Sequence, residues 1–141
     1  MKRATRQFRP RRRSGAAILE TALILPILLL LSFGLVEFGH FFYVQHNLTG
    51  AAREGARTGI ISANSEADVA TAVSRAMTAA RLQNSGYVVV TSPSNLANAA
   101  EGAQVQVTVR CTWGTVGLRP LKLISASRVV SATAVMRREG T

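Results

Sequence analysis

Gly15-Ala16-Ala17-Ile18-Leu19-Glu20-Thr21-Ala22, running on through Leu35-Val36, is the stretch that decides how the rest of the chain is read. From Ala16 to Val36 its twenty-one residues are apolar or small except for Glu20, Thr21 and Ser32. At roughly 1.5 Å per residue a helix over them reaches about 31 Å, which matches the hydrocarbon core of a bilayer. A cleavable secretory signal has a shorter apolar core followed by a small-residue cut site, whereas this run is long and has no clear Ala-x-Ala beyond it. The stretch reads as a membrane-inserted helix. Pro26 inside it removes one backbone donor and predicts a kink, which bilayer helices tolerate.

Working outward toward the N-terminus, Lys2, Arg3, Arg6, Arg9, Arg11, Arg12 and Arg13 stand before Gly15 with no acid among them. Seven of the seventeen basic residues are thus in this arm, so of the +10 formal charge only +3 belongs to everything after Gly15. Positive charge directly before a spanning helix keeps that end in the cytoplasm and sends the C-terminal part across. Anionic headgroups attract it as well, which makes membrane lipid a partner. A nucleic-acid-binding tail is the competing reading of such a block, but Phe8 is the arm's only aromatic and a span follows directly. No nucleic-acid partner is expected.

Glu20 is an acid early in a greasy helix, where a carboxylate costs roughly 3 kcal/mol at the bilayer centre. Two readings stay open: a headgroup-level acid favoured by the helix dipole, or a charge that needs a partner. Beyond the apolar run, Glu37 and His40 lie one turn apart on a common side. Two potential ligands fall short of a metal site, and an interfacial hydrogen-bonded pair is expected instead. Phe38, Phe41, Phe42 and Tyr43 read as an aromatic belt at the outer headgroups.

The helix is expected to continue above the membrane to about Gly59. Gly50, Ala51, Ala52, Gly55 and Ala56 give it a surface of small residues that permits close approach. Docking against the chain's own globular part is favoured slightly over packing on other subunits. Ser65-Glu66-Ala67-Asp68 has the form of a capping box, and Val69, Val73, Ala76, Met77 and Ala80 follow at helical spacing. They predict a second, amphipathic helix over about 66–82, ended by Asn84-Ser85-Gly86. Tyr87–Val90 reads as a short strand and 92–102, with Pro93 and several Asn, as a polar loop that offers a contact tip.

The cleanest periodicity comes next. Val105, Val107, Val109, Cys111 and Trp113 alternate with polar residues, which predicts a half-buried strand with Cys111 on its inner side. Residues 114–125, with Pro120, form a connection, and 127–136 a third strand. The fold class is therefore α+β: a long N-terminal membrane-spanning helix, a second amphipathic helix and a small antiparallel three-stranded sheet. No Ser/His/acid or Cys/His set, metal-ligand cluster or phosphate-binding glycine loop is present in the sequence, so no enzyme activity, cofactor or metal is expected.

Arg11-Arg12-Arg13-Ser14-Gly15, then Ala16-Ala17-Ile18-Leu19-Glu20, an apolar run with Pro26, Gly34-Leu35-Val36-Glu37-Phe38-Gly39 and Gly50-Ala51-Ala52-Arg53-Glu54-Gly55-Ala56-Arg57 resemble the TadE-like pseudopilins. These are minor, pilin-like components of the tight-adherence (Flp) pilus machinery. The resemblance is strong over residues 11–59 and only architectural beyond. It implies a basic cytoplasmic leader over 1–15, a transmembrane and extended helix over 16–59 and a small extracytoplasmic α+β domain over 60–141. It also implies cleavage between Gly15 and Ala16 by a membrane-embedded prepilin peptidase, which makes Glu20 the fifth residue of the mature chain. In such proteins that glutamate pairs with the N-terminal ammonium of a neighbouring subunit, so Ala16 and Glu20 become the pairing residues. The implied partners are the peptidase, other pilins and pseudopilins and the inner-membrane pilus platform. The implied location is the bacterial inner membrane, single-pass with the N-terminus inside, with access to the pilus or cell surface after processing. One departure is Thr21, which stands where the family usually has an aromatic. It keeps a permanently membrane-anchored extracytoplasmic binding module as the competing expectation.

Overall fold

A computed structural model describes residues 14–61, 65–96 and 98–138. The basic arm and the acid of the charged terminus, Glu139, lie outside the described residues.

The first element, α1, is one α-helix over Ser14–Gly59, 46 residues and so about 69 Å long. It runs through Pro26 without a break. Its two halves differ in what they touch. Residues 15–33 are exposed throughout, although Ile18, Leu19, Leu23, Leu31 and their neighbours make this the most apolar surface of the molecule. The hydroxyls in that half turn inward on the helix: Thr21 Oγ1 donates to the Ala17 carbonyl at 2.9 Å and Ser32 Oγ to that of Leu28 at 2.8 Å. Surroundings without water demand such internal satisfaction. It is the one described helix long and apolar enough to cross a membrane, and none of its most apolar window is buried.

From Glu37 onward the helix is part of a core. Glu37, Val44, Leu48, Ala51, Ala52, Gly55, Ala56 and Gly59 are buried, the three-to-four-residue spacing of one helix stripe. The second helix, α2 over Glu66–Ala79, packs Val69, Val73 and Met77 against it. At its start the Asp68 carboxylate accepts from the Ser65 amide at 2.8 Å and from Ser65 Oγ at 2.7 Å. These bonds to the ionised form hold Asp68 below its usual 3.8. The helix stops before the expected residue 82. Arg81 adopts the left-handed region at φ 55, and the Arg81 and Leu82 amides fold back to the carbonyls of Thr78 (2.9 Å) and Met77 (2.8 Å). This is a Schellman end, and it returns Leu82 to the core, where it is 7 % exposed.

Three strands follow: β1 over Val88–Ser92, β2 over Gln104–Thr112 and β3 over Val129–Arg137. They form an antiparallel sheet in the order β1-β2-β3, with Val89 opposite Val109 and Val109 opposite Ala132. Val105, Val107, Val109 and Cys111 of β2 and Val130, Ala132 and Ala134 of β3 form the inner face. The strict alternation in β2 is as the sequence predicts. Trp113 is fully buried, but it opens a single helical turn, α3 over Trp113–Val116, instead of ending the strand.

The two helices and the sheet converge at two glycines. A Cβ on Gly55 would sit 2.7 Å from Val73 Cγ2 and 3.1 Å from Val107 Cγ1, and one on Gly59 3.0 Å from Val105 Cγ1. Any side chain there would separate α1 from both neighbours. The small-residue surface thus serves the chain's own core, apart from Gly50, which is exposed with nothing within 4 Å.

Candidate functional site

The residues singled out by the sequence fall into three zones along α1. In the first described turn, Gly15 is helical, not extended, and a Cβ on it would meet nothing within 4 Å. Ala16 and Glu20 are both exposed. They are four residues apart, and therefore neighbours on one face. Glu20 has no hydrogen-bond or ion-pair partner among the described residues.

The second zone is the junction where the free half of α1 becomes the docked half. Glu37 is fully buried. Its Oε1 accepts from the Ile124 amide at 2.8 Å and its Oε2 from the Leu121 amide at 3.2 Å. Lys122, between them in sequence, occupies the left-handed region at φ 55, and this turn brings both amides to one carboxylate. Three residues further on, His40 Nε2 donates to the Val116 carbonyl at 2.8 Å. A carbonyl can only accept, so the ring hydrogen sits on Nε2. His40 stacks on Tyr43 with centroids 5.8 Å apart and lies 5.7 Å from Trp113, which Phe41 meets edge-on at 5.3 Å. Tyr43 completes the zone by donating to the Ala80 carbonyl at 2.9 Å.

Two expectations are corrected here. Glu37 and His40 do not pair with each other; each holds a backbone group of the connection between β2 and β3. Buried amides and carbonyls in that connection must find partners, and the helix supplies them. The aromatic belt is also divided. Phe38 and Phe42 face outward at 47 % and 65 % exposure, while Phe41 turns in against the core.

The third zone is the far end. The Ser92–Pro93 peptide is cis, Leu96 is buried under the loop, and Arg138 Nη1 donates to the Leu96 carbonyl. The Gly102 amide donates to the Arg138 carbonyl at 3.3 Å, and the Arg138 amide to that of Ala103 at 2.8 Å. The 92–102 segment is therefore tied to the end of β3. Cys111 faces the core at 4 % exposure, and burial pushes its thiol up, away from the reactive thiolate. Among the described residues no three His, Cys, Asp or Glu side chains are grouped to hold a metal ion.

The junction contacts had no sequence signature of their own. Glu37 was visible as a polar residue at the end of an apolar run, but the amides it binds are 84 and 87 positions away, and any non-proline residue has one.

No curated protein and no solved structure matches the chain. Residues 15–57 match the family model described as TadE-like protein. That match opens on Gly15, takes in Glu20, Glu37 and Gly55, and ends two residues before α1 does. The similarity to TadE-like protein is thus carried by this helix, over less than half of the chain.

Proposed function

We propose that the chain is a minor pilin or pseudopilin of a tight-adherence pilus, with a structural and non-enzymatic role in pilus assembly and adhesion. The observation that carries this reading is the division of α1: its apolar half is wholly exposed, with Glu20 in it unpartnered among the described residues, while its other half is built into the core. A helix needed only to hold the head would not require an acid there. Cleavage after Gly15 by a prepilin peptidase removes the basic leader and creates an ammonium at Ala16. That ammonium meets Glu20 of a neighbouring subunit as the helix moves from lipid into an assembly. In low-dielectric surroundings the two charges are each costly alone and stabilise each other when paired. Other pilins and the inner-membrane platform are the partners in this scheme, with the N-terminus starting on the cytoplasmic side.

Mass spectrometry of membranes that contain the matching peptidase tests the scheme. A mature chain beginning at Ala16, and its loss on Gly15 substitution, is the expected result. An N-terminus intact at Met1 in both cases would sink the processing step. Thr21, in place of the family's usual aromatic, favours a second reading in which the chain stays uncleaved as an anchored binding module. Under that reading the protein stays in the membrane and is never recovered with sheared filaments.

A further inference from the structure

The connection between α3 and β3 carries a surface that neither the core nor the reading above uses. Leu118 and Leu123 are each 55 % exposed, although the segment is held tightly to α1 by Glu37. From Gly114 to Arg138 the chain has five basic residues and no acid. Three of them, Arg119, Lys122 and Arg128, lie in this connection. Arg119 Nε is screened from water yet has no hydrogen-bond partner. Beside the segment, Phe38 and Phe42 of α1 line an apolar groove of about 390 Å³ with Leu123, and Arg128 stands at its edge.

The position of these residues along α1 gives them meaning. Leu123 Cδ1 lies 3.8 Å from the Cβ position of Gly34, two residues before the apolar run ends at Val36. With a rise of 1.5 Å per residue, Leu123 sits about 3 Å inside the hydrocarbon edge. Arg128 is at the level of Phe38 and Phe42, about 3 to 9 Å beyond that edge, within the headgroup layer. Leu123 is thus at acyl depth and Arg128 at phosphate depth, beside the exposed apolar half of α1.

We propose that the 117–128 connection is an interfacial anchor: it dips Leu118 and Leu123 into the lipid and presents Arg119, Lys122 and Arg128 to the phosphates of anionic phospholipids, which seats the head on the bilayer. This rests on reading the exposed half of α1 as membrane-spanning. The head then has two attachments to the membrane, the helix and the connection, and Glu37 ties one to the other. Lys and Arg suit this depth because their stems run along apolar surface while the charge reaches the phosphates, and each cation near an anionic surface adds about 1 kcal/mol of attraction.

The test uses the full chain in vesicles of equimolar phosphatidylcholine and phosphatidylglycerol. Nitroxide labels are placed singly at Leu118→Cys, Leu123→Cys, Leu28→Cys and Val135→Cys, with the buried Cys111 left unlabelled. Collision with oxygen, enriched in lipid, is compared with collision with a water-soluble nickel chelate. The labels at 118 and 123 are expected to favour oxygen several-fold over the label at 135 and to approach the one at 28. If 118 and 123 collide with nickel as freely as 135 while 28 stays in lipid, the spanning helix stands and the anchor is wrong. Shielding of 118 and 123 from both reagents means that protein covers them, which also overturns the proposal. If the label at 28 is itself in water, the spanning reading fails first. Arg119→Gln, Lys122→Gln and Arg128→Gln together are expected to move the label at 123 toward water only when phosphatidylglycerol is present. An unchanged depth would refute the part assigned to charge.

Discussion

Replacing Glu37 is the sharpest test of how the head is joined to its helix. The carboxylate satisfies two buried amides, those of Leu121 and Ile124, at 3.2 and 2.8 Å. A hydrogen bond to a charged group contributes about 2 kcal/mol, so Glu37→Ala removes about 4 kcal/mol and leaves both donors without an acceptor. Glu37→Gln keeps one acceptor and turns an NH₂ toward the other amide, at a cost of about 2 kcal/mol. Because the bonds hold a connection and not the sheet itself, most of the loss should appear as local opening of 117–125. In hydrogen exchange on the full chain in nanodiscs, the Leu121 and Ile124 amides should exchange on the order of 10³-fold faster in the alanine variant and about thirty-fold faster in the glutamine variant, since each 1.4 kcal/mol is a factor of ten. The Val107 and Val109 ladder amides should change far less. The reasoning is refuted if Leu121 and Ile124 exchange at the wild-type rate in Glu37→Ala, or if glutamine proves as costly as alanine.

The two classes of glycine on α1 predict opposite outcomes. Gly55→Ala brings a methyl to 2.7 Å from Val73 and should cost about 2 kcal/mol by overpacking, lowering Tm by roughly 10 °C. Gly50→Ala meets nothing within 4 Å and should raise Tm through helix propensity, by up to about 1 kcal/mol; circular dichroism melts in detergent read both, and a Gly55→Ala protein as stable as wild type would contradict the packing account. Cys111, buried with its thiol pushed up, should resist iodoacetamide at neutral pH and react only after denaturation, as counted by mass spectrometry. Asp68 has its folded-state pKa lowered, so its stabilisation is present above the unfolded value and disappears as pH falls through the folded one. Wild type should therefore outlast Asp68→Asn in thermal melts at neutral pH, with the two curves meeting in acid below 3.8.

The parts of the fold carried by regular periodicity could be read from the sequence. The small-residue surface of Ala51, Ala52, Gly55 and Ala56, though not Gly50, and the alternation Val105, Val107, Val109, Cys111 place buried residues where they are found. The end of α2 was less visible because its left-handed residue is Arg81, where glycine or asparagine would have announced the stop. The turn at Trp113 escaped for a related reason: the alternation continues in the sequence while the backbone has already left the sheet. For Glu37 and His40, spacing put both on one side of the helix, but their partners are main-chain groups fixed only by the tertiary path. Glu20 stood out as an acid in an apolar run, and Gly15 and Ala16 became candidates through family resemblance; their exposure on the free half of α1 is what the fold adds.

A 46-residue helix that runs unbroken through Pro26 also fixes a phase. Each residue turns an α-helix by about 100°, so the seventeen residues from Glu20 to Glu37 place these acids about a quarter-turn apart around the axis. The azimuth of the sheet is therefore geared to the direction in which Glu20 looks. Inserting one residue between them would swing the head by about 100° while lengthening the shaft by only about 1.5 Å. A neighbour that engages Glu20 thereby selects which flank of the head it faces.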